Sequence, residues 1–223
     1  MSAFVQSNLP VEVNLSHEVD VFVAGGGPGG IGAAVAAARK GKKVLLVEHY
    51  GFLGGMATAG EVNPFMPNHH HGDSLDTGIF EDWLARIKEY NPSGQGRVFD
   101  PNAARLAAED LCLEAGVQLL YHHRVVAVKR DGAKIDHVVL HSKSGMSAVK
   151  AKVFIDSTGD GDMAYLAGAE FEMGGHDSQY VQPMTLCFKL KLNLAETDLG
   201  YRDSVEAVAK ERKMIHEAFE RAK

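Results

Sequence analysis

Residues 19–48 read VDVFVAGGGPGGIGAAVAAARKGKKVLLVE, and this stretch decides the fold. The apolar run Val19–Ala24 predicts a buried parallel strand. The alanine-rich run from Gly29 to Lys40 predicts a helix that a glycine ends. The run Val44–Val47 predicts a second buried strand, and Glu48 follows it. Two strands joined by a helix within about 30 residues have the size of a right-handed crossover unit.

The turn between the first strand and the helix has the spacing Gly25-x-Gly27-x-x-Gly30. In this pattern one glycine allows a tight turn, the next lets a pyrophosphate approach the backbone, and the third lets helix and strand pack closely. The pyrophosphate then meets the N–H groups at the helix N-terminus. Glu48 can accept hydrogen bonds from a ribose diol and disfavours a 2′-phosphate. Together these features predict an adenine-dinucleotide site; the alternative is a glycine-rich turn beside a solvated Glu48.

Two further helices are predicted before residue 117. The first covers residues 77–90 and carries Trp83 on an apolar face that indicates a core position. The second begins behind Asp100 as N-cap, with Pro101 at its first position, and ends before Gly116. The face that packs in the core is predicted to consist of Leu106, Leu111 and Leu113 together with the alanines of this helix.

From residue 117 the pattern changes to short strands with tight turns between them. Apolar runs at 117–121, 125–129, 135–141 and 147–155 predict a β-meander whose last strand runs back into the main sheet. That strand leads into a short helix, for which Asp160 and Asp162 are good N-caps.

The composition excludes several classes of protein. The chain has 223 residues, of which 45% are hydrophobic and 23% charged, as in ordinary soluble domains. We therefore expect no membrane span and, because no signal peptide is visible, a cytoplasmic location. The cysteines, Cys112 and Cys187, are too few for a disulfide framework and favour reduced thiols. A net charge of −6 argues against a nucleic-acid partner.

Three segments of the sequence resemble one known family. They are GGGPGG at 25–30, GFLGGMATAG at 51–60 and IDSTGDGD at 155–162; residues 99–128 are also similar. The chain thus resembles the bacterial FAD-dependent oxidoreductases of the glutathione-reductase-like superfamily, over about residues 19–192. This resemblance implies an α/β fold: a doubly wound, Rossmann-like FAD-binding domain with a β-meander insertion, followed by the start of a second, α+β substrate domain. It favours FAD over NAD as cofactor.

The resemblance also implies which residues contact FAD. The glycine-rich turn would surround the pyrophosphate, and Glu48 would hold the adenosine ribose. Residues 54–56 would lie on the flavin side, the backbone of Val125 would meet the adenine edge, and residues 158–160 would close over the nucleotide. The implied contact residues are Gly25, Gly27, Pro28, Gly29, Gly30, Glu48, His49, Gly54, Gly55, Met56, Val125, Thr158, Gly159 and Asp160. No catalytic acid or base is identified.

The implied function is an FAD-dependent oxidoreductase that transfers hydride between a small organic substrate and the flavin. Members of the family are usually longer, and this chain stops inside a predicted helix. The alternative is therefore a truncated dinucleotide-binding module that is catalytically incompetent without a C-terminal part or a partner chain. Assembly into a homo-oligomer is a further possibility that the sequence leaves open. The 51–55 segment and the meander argue against an NAD-dependent dehydrogenase.

Other residues have less specific interpretations. His69, His70 and His71 favour a solvated loop, with proximity to the flavin or substrate as an alternative; three consecutive residues cannot easily all face one metal ion, so no metal is predicted. Cys112 favours buried packing, whereas Cys187 faces either flavin or solvent. A surface position is expected for His122 and His123. The domain division is an arm at 1–18, the FAD-binding domain at 19–180 and a partial substrate domain at 181–223.

Overall fold

A computed structural model describes residues 12–66, 68–71, 73–92, 98–174, 181, 213 and 217. The chain divides into two compact units, Met1–Cys187 and Phe188–Lys223, and every helix and strand named below lies in the first. A 3₁₀ turn, Gly55–Ala57, follows the second strand. The strands and helices are, in chain order, β1 Asn14–Ala24, α1 Pro28–Arg39, β2 Val44–Val47, β3 His69–His70, β4 Asp73–Ser74, α2 Ile79–Tyr90, α3 Pro101–Glu114, β5 Gln118–Leu120, β6 Arg124–Asp131, β7 Lys134–Ser142, β8 Gly145–Asp156 and α4 Asp162–Leu166.

The predicted strand–helix–strand unit is confirmed. β1 and β2 pair in parallel, with Val21 opposite Val44, and α1 connects them. β1 begins at Asn14 rather than at the predicted Val19, because its first residues pair with residues 147–150 of β8. These partners are more than a hundred residues apart in the chain, so the local pattern does not show the early start of the strand.

Six strands form one mixed sheet in the order β5-β2-β1-β8-β7-β6. Neighbours among β5, β2, β1 and β8 are parallel, whereas β6, β7 and β8 pair antiparallel. The predicted meander is therefore confirmed, and its last strand lies beside β1 in the main sheet. The Rossmann-like α/β fold is also confirmed, with the meander as an antiparallel extension of the parallel strands.

Both faces of the parallel strands are covered. Phe22 and Leu45 lie on one face, where Met163 of α4 joins them. Val23 and Leu46 lie on the other, where residues of α1, α2 and α3 pack. Strands buried on both faces need continuous apolar runs, which is why these segments lack polar alternation. The carboxyl edge of the strands, where ligands bind in such sheets, is formed by loops.

The buried face of α3 differs in part from the prediction: its alanines and Leu111 are buried as predicted, and its Asp100 cap and bounds are as predicted. Leu106 and Leu113 are 51% and 55% exposed, so the prediction that they pack in the core is wrong. Small side chains let α2 approach closely enough for the indole of Trp83, itself buried as predicted, to donate to the carbonyl oxygen of Ala104 at 3.0 Å. The buried residues of this helix are Pro101, Ala103, Ala104, Ala107, Ala108, Leu111 and Cys112.

Some predictions fall outside the described residues. They concern Cys187 and two further elements that the sequence predicts, a strand at 184–192 and a helix from Ser204 onward. Of that helix only Lys213 and Glu217 are described, both as helical. The division into segments 1–18, 19–180 and 181–223 stays a prediction. In the part of the chain that the structure describes, no helix is long and apolar enough to cross a membrane.

Candidate functional site

Three loop segments meet at the carboxyl edge of the parallel strands. Gly25 donates its N–H to the carbonyl oxygen of the last residue of β2, and Ser157 donates to that of β1, both at 2.8 Å. Gly54 donates its N–H to the carbonyl oxygen of Gly26 at 2.8 Å. The structure therefore brings together the glycine-rich turn, the 51–60 segment and the end of β8, which are the three motifs that carry the resemblance.

The inner side of the glycine-rich turn has no room for side chains. Gly25 has a φ of +94°, and a Cβ on it would collide with the carbonyl oxygen of Ser157. A Cβ on Gly30 would overlap the carbonyl oxygen of Gly25. The first glycine is thus required by the turn and the third by close packing of helix on strand, as the pattern predicts.

The outer side of the same turn is open. A Cβ on Gly27 would meet nothing closer than the Cα of Gly55, at 3.9 Å, and one on Gly29 nothing closer than Oγ of Ser157, at 3.9 Å. Pro28 occupies the first position of α1, in a helical turn whose amides lack intrahelical acceptors. Protein packing therefore does not require a glycine at position 27. This open cradle, formed by Gly27, Gly29 and Gly55, fits a pyrophosphate that approaches the backbone.

Glu48 directly follows β2 at the edge of the site and is only 4% exposed. Its Oε2 accepts the N–H of Gly26 at 2.7 Å, and its Oε1 accepts the N–H of Tyr50 at 2.8 Å. Nδ1 of His49 also lies 2.8 Å from Oε1. A carboxylate oxygen has two lone pairs, so Oε2 keeps one acceptor position for a ribose hydroxyl. The carboxylate therefore also holds the glycine-rich turn, a role that the sequence did not predict.

Aromatic side chains follow Glu48 along the edge of the site. The ring centroids of His49 and Tyr50 are 3.9 Å apart, and the ring of Tyr50 stacks on that of Phe52 at 5.6 Å and 10°. His122 is exposed, as predicted, and its ring lies 2.8 Å from the position that a Cβ on Gly51 would take. Glycine at position 51 thus leaves room for the imidazole of His122.

Thr58 anchors the 51–60 segment from within. Its side chain is fully buried, and Oγ1 donates to the carbonyl oxygen of Leu53 at 2.7 Å. It also packs beneath Gly54, where φ is +110° and a Cβ would collide with the threonine side chain. Met56, in contrast, is 63% exposed. Gly54 and Met56 were predicted to lie at the site, whereas Thr58 was not, although it stands in the same motif.

We expect Thr58→Val to lower the free energy of unfolding by about 1–3 kcal/mol, because the isosteric side chain leaves the carbonyl oxygen of Leu53 without this donor. Urea unfolding measures the change. The exposed Thr77 offers a matched control, and Thr77→Val should change stability by less than about 0.5 kcal/mol. Equal stability of Thr58→Val and the native protein would contradict the anchoring role.

Asp156 organises the segment that follows β8. Its Oδ1 accepts the N–H of Thr158 at 3.0 Å and the hydroxyl of Thr158 at 2.7 Å, and its Oδ2 accepts the N–H of Ala164 at 2.7 Å. The hydroxyl oxygen of Thr158 in turn accepts the N–H of Asp162 at 2.8 Å. Asp156 and Thr158 therefore cap α4, and the prediction that Asp160 or Asp162 does so is wrong. Asp160 is exposed, as is Gly159.

Val125 lies on β6, opposite Leu140 of β7. Its side chain is 8% exposed and belongs to the core cluster on the Phe22 face of the sheet. The predicted contact of its backbone with adenine stays a prediction.

The remaining candidate residues are His69, His70 and Cys112. His69 and His70 form β3, which pairs antiparallel with β4. Among the residues described, no group of three or more His, Cys, Asp or Glu could hold a metal ion. Cys112 is fully buried, as predicted, and burial raises the pKa of its thiol to about 12, so the thiol stays protonated and unreactive.

Comparison with known proteins shows which family model the chain matches. Residues 20–223 match the family model of FAD-dependent oxidoreductases. The thiamine thiazole synthase of Methanococcus vannielii is 31% identical over 153 residues, which cover 64% of this chain and 56% of that protein. This chain therefore spans little more than half of that relative's length.

Solved structures that resemble this chain have low sequence identity to it. A geranylgeranyl bacteriochlorophyll reductase-like protein from Thermoplasma acidophilum has a TM-score of 0.51 and 22% identity, over 69% of this chain and 43% of that chain. THI4 from Thermovibrio ammonificans has a TM-score of 0.47 and 20% identity, over 67% of this chain and 61% of that chain. At such identities the likeness concerns the fold.

Proposed function

We propose a flavin-dependent redox function from one premise: the chain belongs to the family of FAD-dependent oxidoreductases. The predicted cofactor, FAD, is thereby confirmed. We infer further that the chain belongs to the bacterial, glutathione-reductase-like branch, and that it transfers hydride between a small organic substrate and the flavin. The open cradle carries the cofactor part of this proposal, because the space beside Gly27 is not filled by described protein atoms.

The residues at the carboxyl edge would each contact a different part of FAD. The glycine-rich turn from Gly25 to Gly30, with Pro28 and Gly29, would receive the pyrophosphate at the start of α1. Oε2 of Glu48 would accept a ribose hydroxyl, with His49 beside it. Residues 54–56 would border the flavin, and residues 158–160 would close over the nucleotide.

FAD, when bound, supplies the group that accepts or gives the hydride, and the protein supplies binding, orientation and exclusion of water. The loop at residues 51–75 would line the reacting face of the flavin. Its histidines are candidates for proton transfer by their position alone. The substrate, the electron acceptor, a cytoplasmic location and any assembly into an oligomer stay predictions.

The second candidate is a dinucleotide-binding module that holds FAD but needs further polypeptide for catalysis. The observation that favours it is the coverage: the chain spans 56% of the matched synthase and 43% of the reductase-like structure. In that case the same residues would bind the nucleotide, and a complementing chain would supply the substrate pocket.

The test is a visible absorption spectrum of protein purified without added cofactor. Flavin bands that stay with the protein after desalting support the FAD site, and bleaching by an organic substrate supports the oxidoreductase. Stoichiometric FAD without reduction by any substrate of a broad panel favours the module. A protein that stays colourless after incubation with FAD contradicts both proposals.

A further inference from the structure

Arg105 of α3 contacts two parts of the 51–60 segment at once. Its Cζ lies 3.8 Å from the ring centroid of Phe52, a cation–π contact. Its Nη2 donates to the carbonyl oxygen of Thr58 at 3.4 Å, and its Nη1 donates to Oδ1 of Asn102 at 3.1 Å. Asn102 thus orients the guanidinium, and the guanidinium bridges α3 to both sides of the turn that contains Gly54.

The contact at Phe52 extends toward the adenosine side of the site. The ring of Phe52 stacks on Tyr50, whose N–H donates to Oε1 of Glu48. The contact at Thr58 lies on the proposed flavin side. Thr58 packs beneath Gly54, which donates a hydrogen bond to the carbonyl oxygen of Gly26. A single arginine is therefore connected to Glu48 through Phe52 and Tyr50, and to Gly26 through Thr58 and Gly54.

The surroundings of Arg105 are unusual for an arginine that merely stabilises a surface. Its Nε is buried and makes no hydrogen bond in the part of the chain that the structure describes. Among those residues no carboxylate lies within ion-pair distance of Arg105, whereas Arg86 of α2 has a bidentate pair with Glu114 of α3. Buried donors without acceptors are rare and costly, and an explanation other than stability is needed for such an arrangement.

We propose that Arg105 is a positioning residue: it fixes the 51–60 segment against the glycine-rich turn so that Gly54 and Gly55 are held where FAD binds. This proposal rests on the proposed function. A planar guanidinium can stack on Phe52 and donate from its edge to Thr58 at the same time. Lysine has one ammonium and cannot do both, so Arg105→Lys should resemble Arg105→Gln.

The test compares Arg105→Gln, Arg105→Lys, Phe52→Leu and the Arg105→Gln/Phe52→Leu double variant, with Arg86→Gln as the matched control. Hydrogen exchange of the ligand-free protein is measured at the amides of Ala57, Thr58, Ala59 and Gly60, which donate to Gly54 and Gly55. FAD titration of the same proteins gives the dissociation constants.

We expect Arg105→Gln and Arg105→Lys to speed exchange at these amides by about tenfold, since a partly desolvated cation–π contact and a hydrogen bond are lost. Exchange in α3 should not change, and the FAD dissociation constant should rise by a similar factor. The double variant should lose less than the sum of the two single losses, because the two side chains are in contact. Arg86→Gln should change neither measurement.

Unchanged exchange at residues 57–60 in Arg105→Gln would overturn the positioning role, as would changes of equal size in Arg86→Gln. Faster exchange with an unaltered FAD dissociation constant would also overturn it, because the segment would then be held without consequence for the cofactor. Failure of the native protein to bind FAD would contradict the proposed function instead, and that outcome is read from the native titration alone.

Discussion

Replacing Gly27 by leucine is expected to abolish FAD binding while the protein stays folded. The backbone at Gly27 has φ −70° and ψ −177°, a conformation open to any residue, and its Cβ position is 3.9 Å from the nearest atom. The added side chain would occupy the cradle that the pyrophosphate needs. We expect FAD affinity to fall by at least about 100-fold, since overfilling a tight site costs about 1–3 kcal/mol or more.

Flavin titration and thermal unfolding of the same variant separate binding from stability. The loss of a favourable N-cap residue should lower the free energy of unfolding by no more than about 1 kcal/mol. Gly32→Leu is the control, because Gly32 lies in the same helix with nothing within 4 Å of its Cβ position. A Gly27→Leu protein that retains stoichiometric FAD would remove the observation on which the proposed function depends.

Replacing Gly30 by alanine is expected to disrupt the fold itself, although only a methyl group is added. That methyl would overlap the carbonyl oxygen of Gly25, which belongs to a turn already crowded against Ser157. Relief requires α1 to move away from β1, where Ile31 and Val35 are buried. We expect a loss of about 3 kcal/mol or more from a total stability of about 5–15 kcal/mol.

Urea unfolding followed by circular dichroism measures this loss. Gly32→Ala provides the opposite expectation in the same helix: without steric conflict, alanine should stabilise the protein by about 0.5–1 kcal/mol. A Gly30→Ala protein as stable as the native one would show that helix and strand are not held in contact at this point. The pair of variants thus distinguishes the glycine that packing requires from the one that it does not.

The start and end of several elements follow from the sequence because their causes are local. The β1–α1–β2 unit depends on apolar runs and a glycine turn within thirty residues, and α3 begins at the predicted Asp100 cap. The glycine spacing also identified the cradle, since steric contacts require Gly25 and Gly30, whereas the space beside Gly27 is open. Trp83 and Cys112 are buried as the helical pattern predicts.

Packing partners were not predictable, because they come from distant parts of the chain. Leu106 and Leu113 are exposed and alanines are buried because α2 approaches α3 closely on the alanine side. Asp156 rather than Asp160 caps α4, since the end of β8 places its carboxylate on the amide of Ala164. Asp156 is the last residue of β8 and therefore stands where that strand meets the loop before α4.

By itself the sequence determined the dinucleotide-binding unit and the ends of the main helices through spacings and caps that act over a few residues, and its resemblance to a known family indicated FAD. Only the tertiary structure decided that Glu48 holds the glycine-rich turn, that Thr58 anchors the turn around Gly54, and that Arg105 reaches that turn from α3. Such contacts depend on how separate elements pack. Buried polar groups need hydrogen-bond partners, and here the partners come from distant parts of the chain.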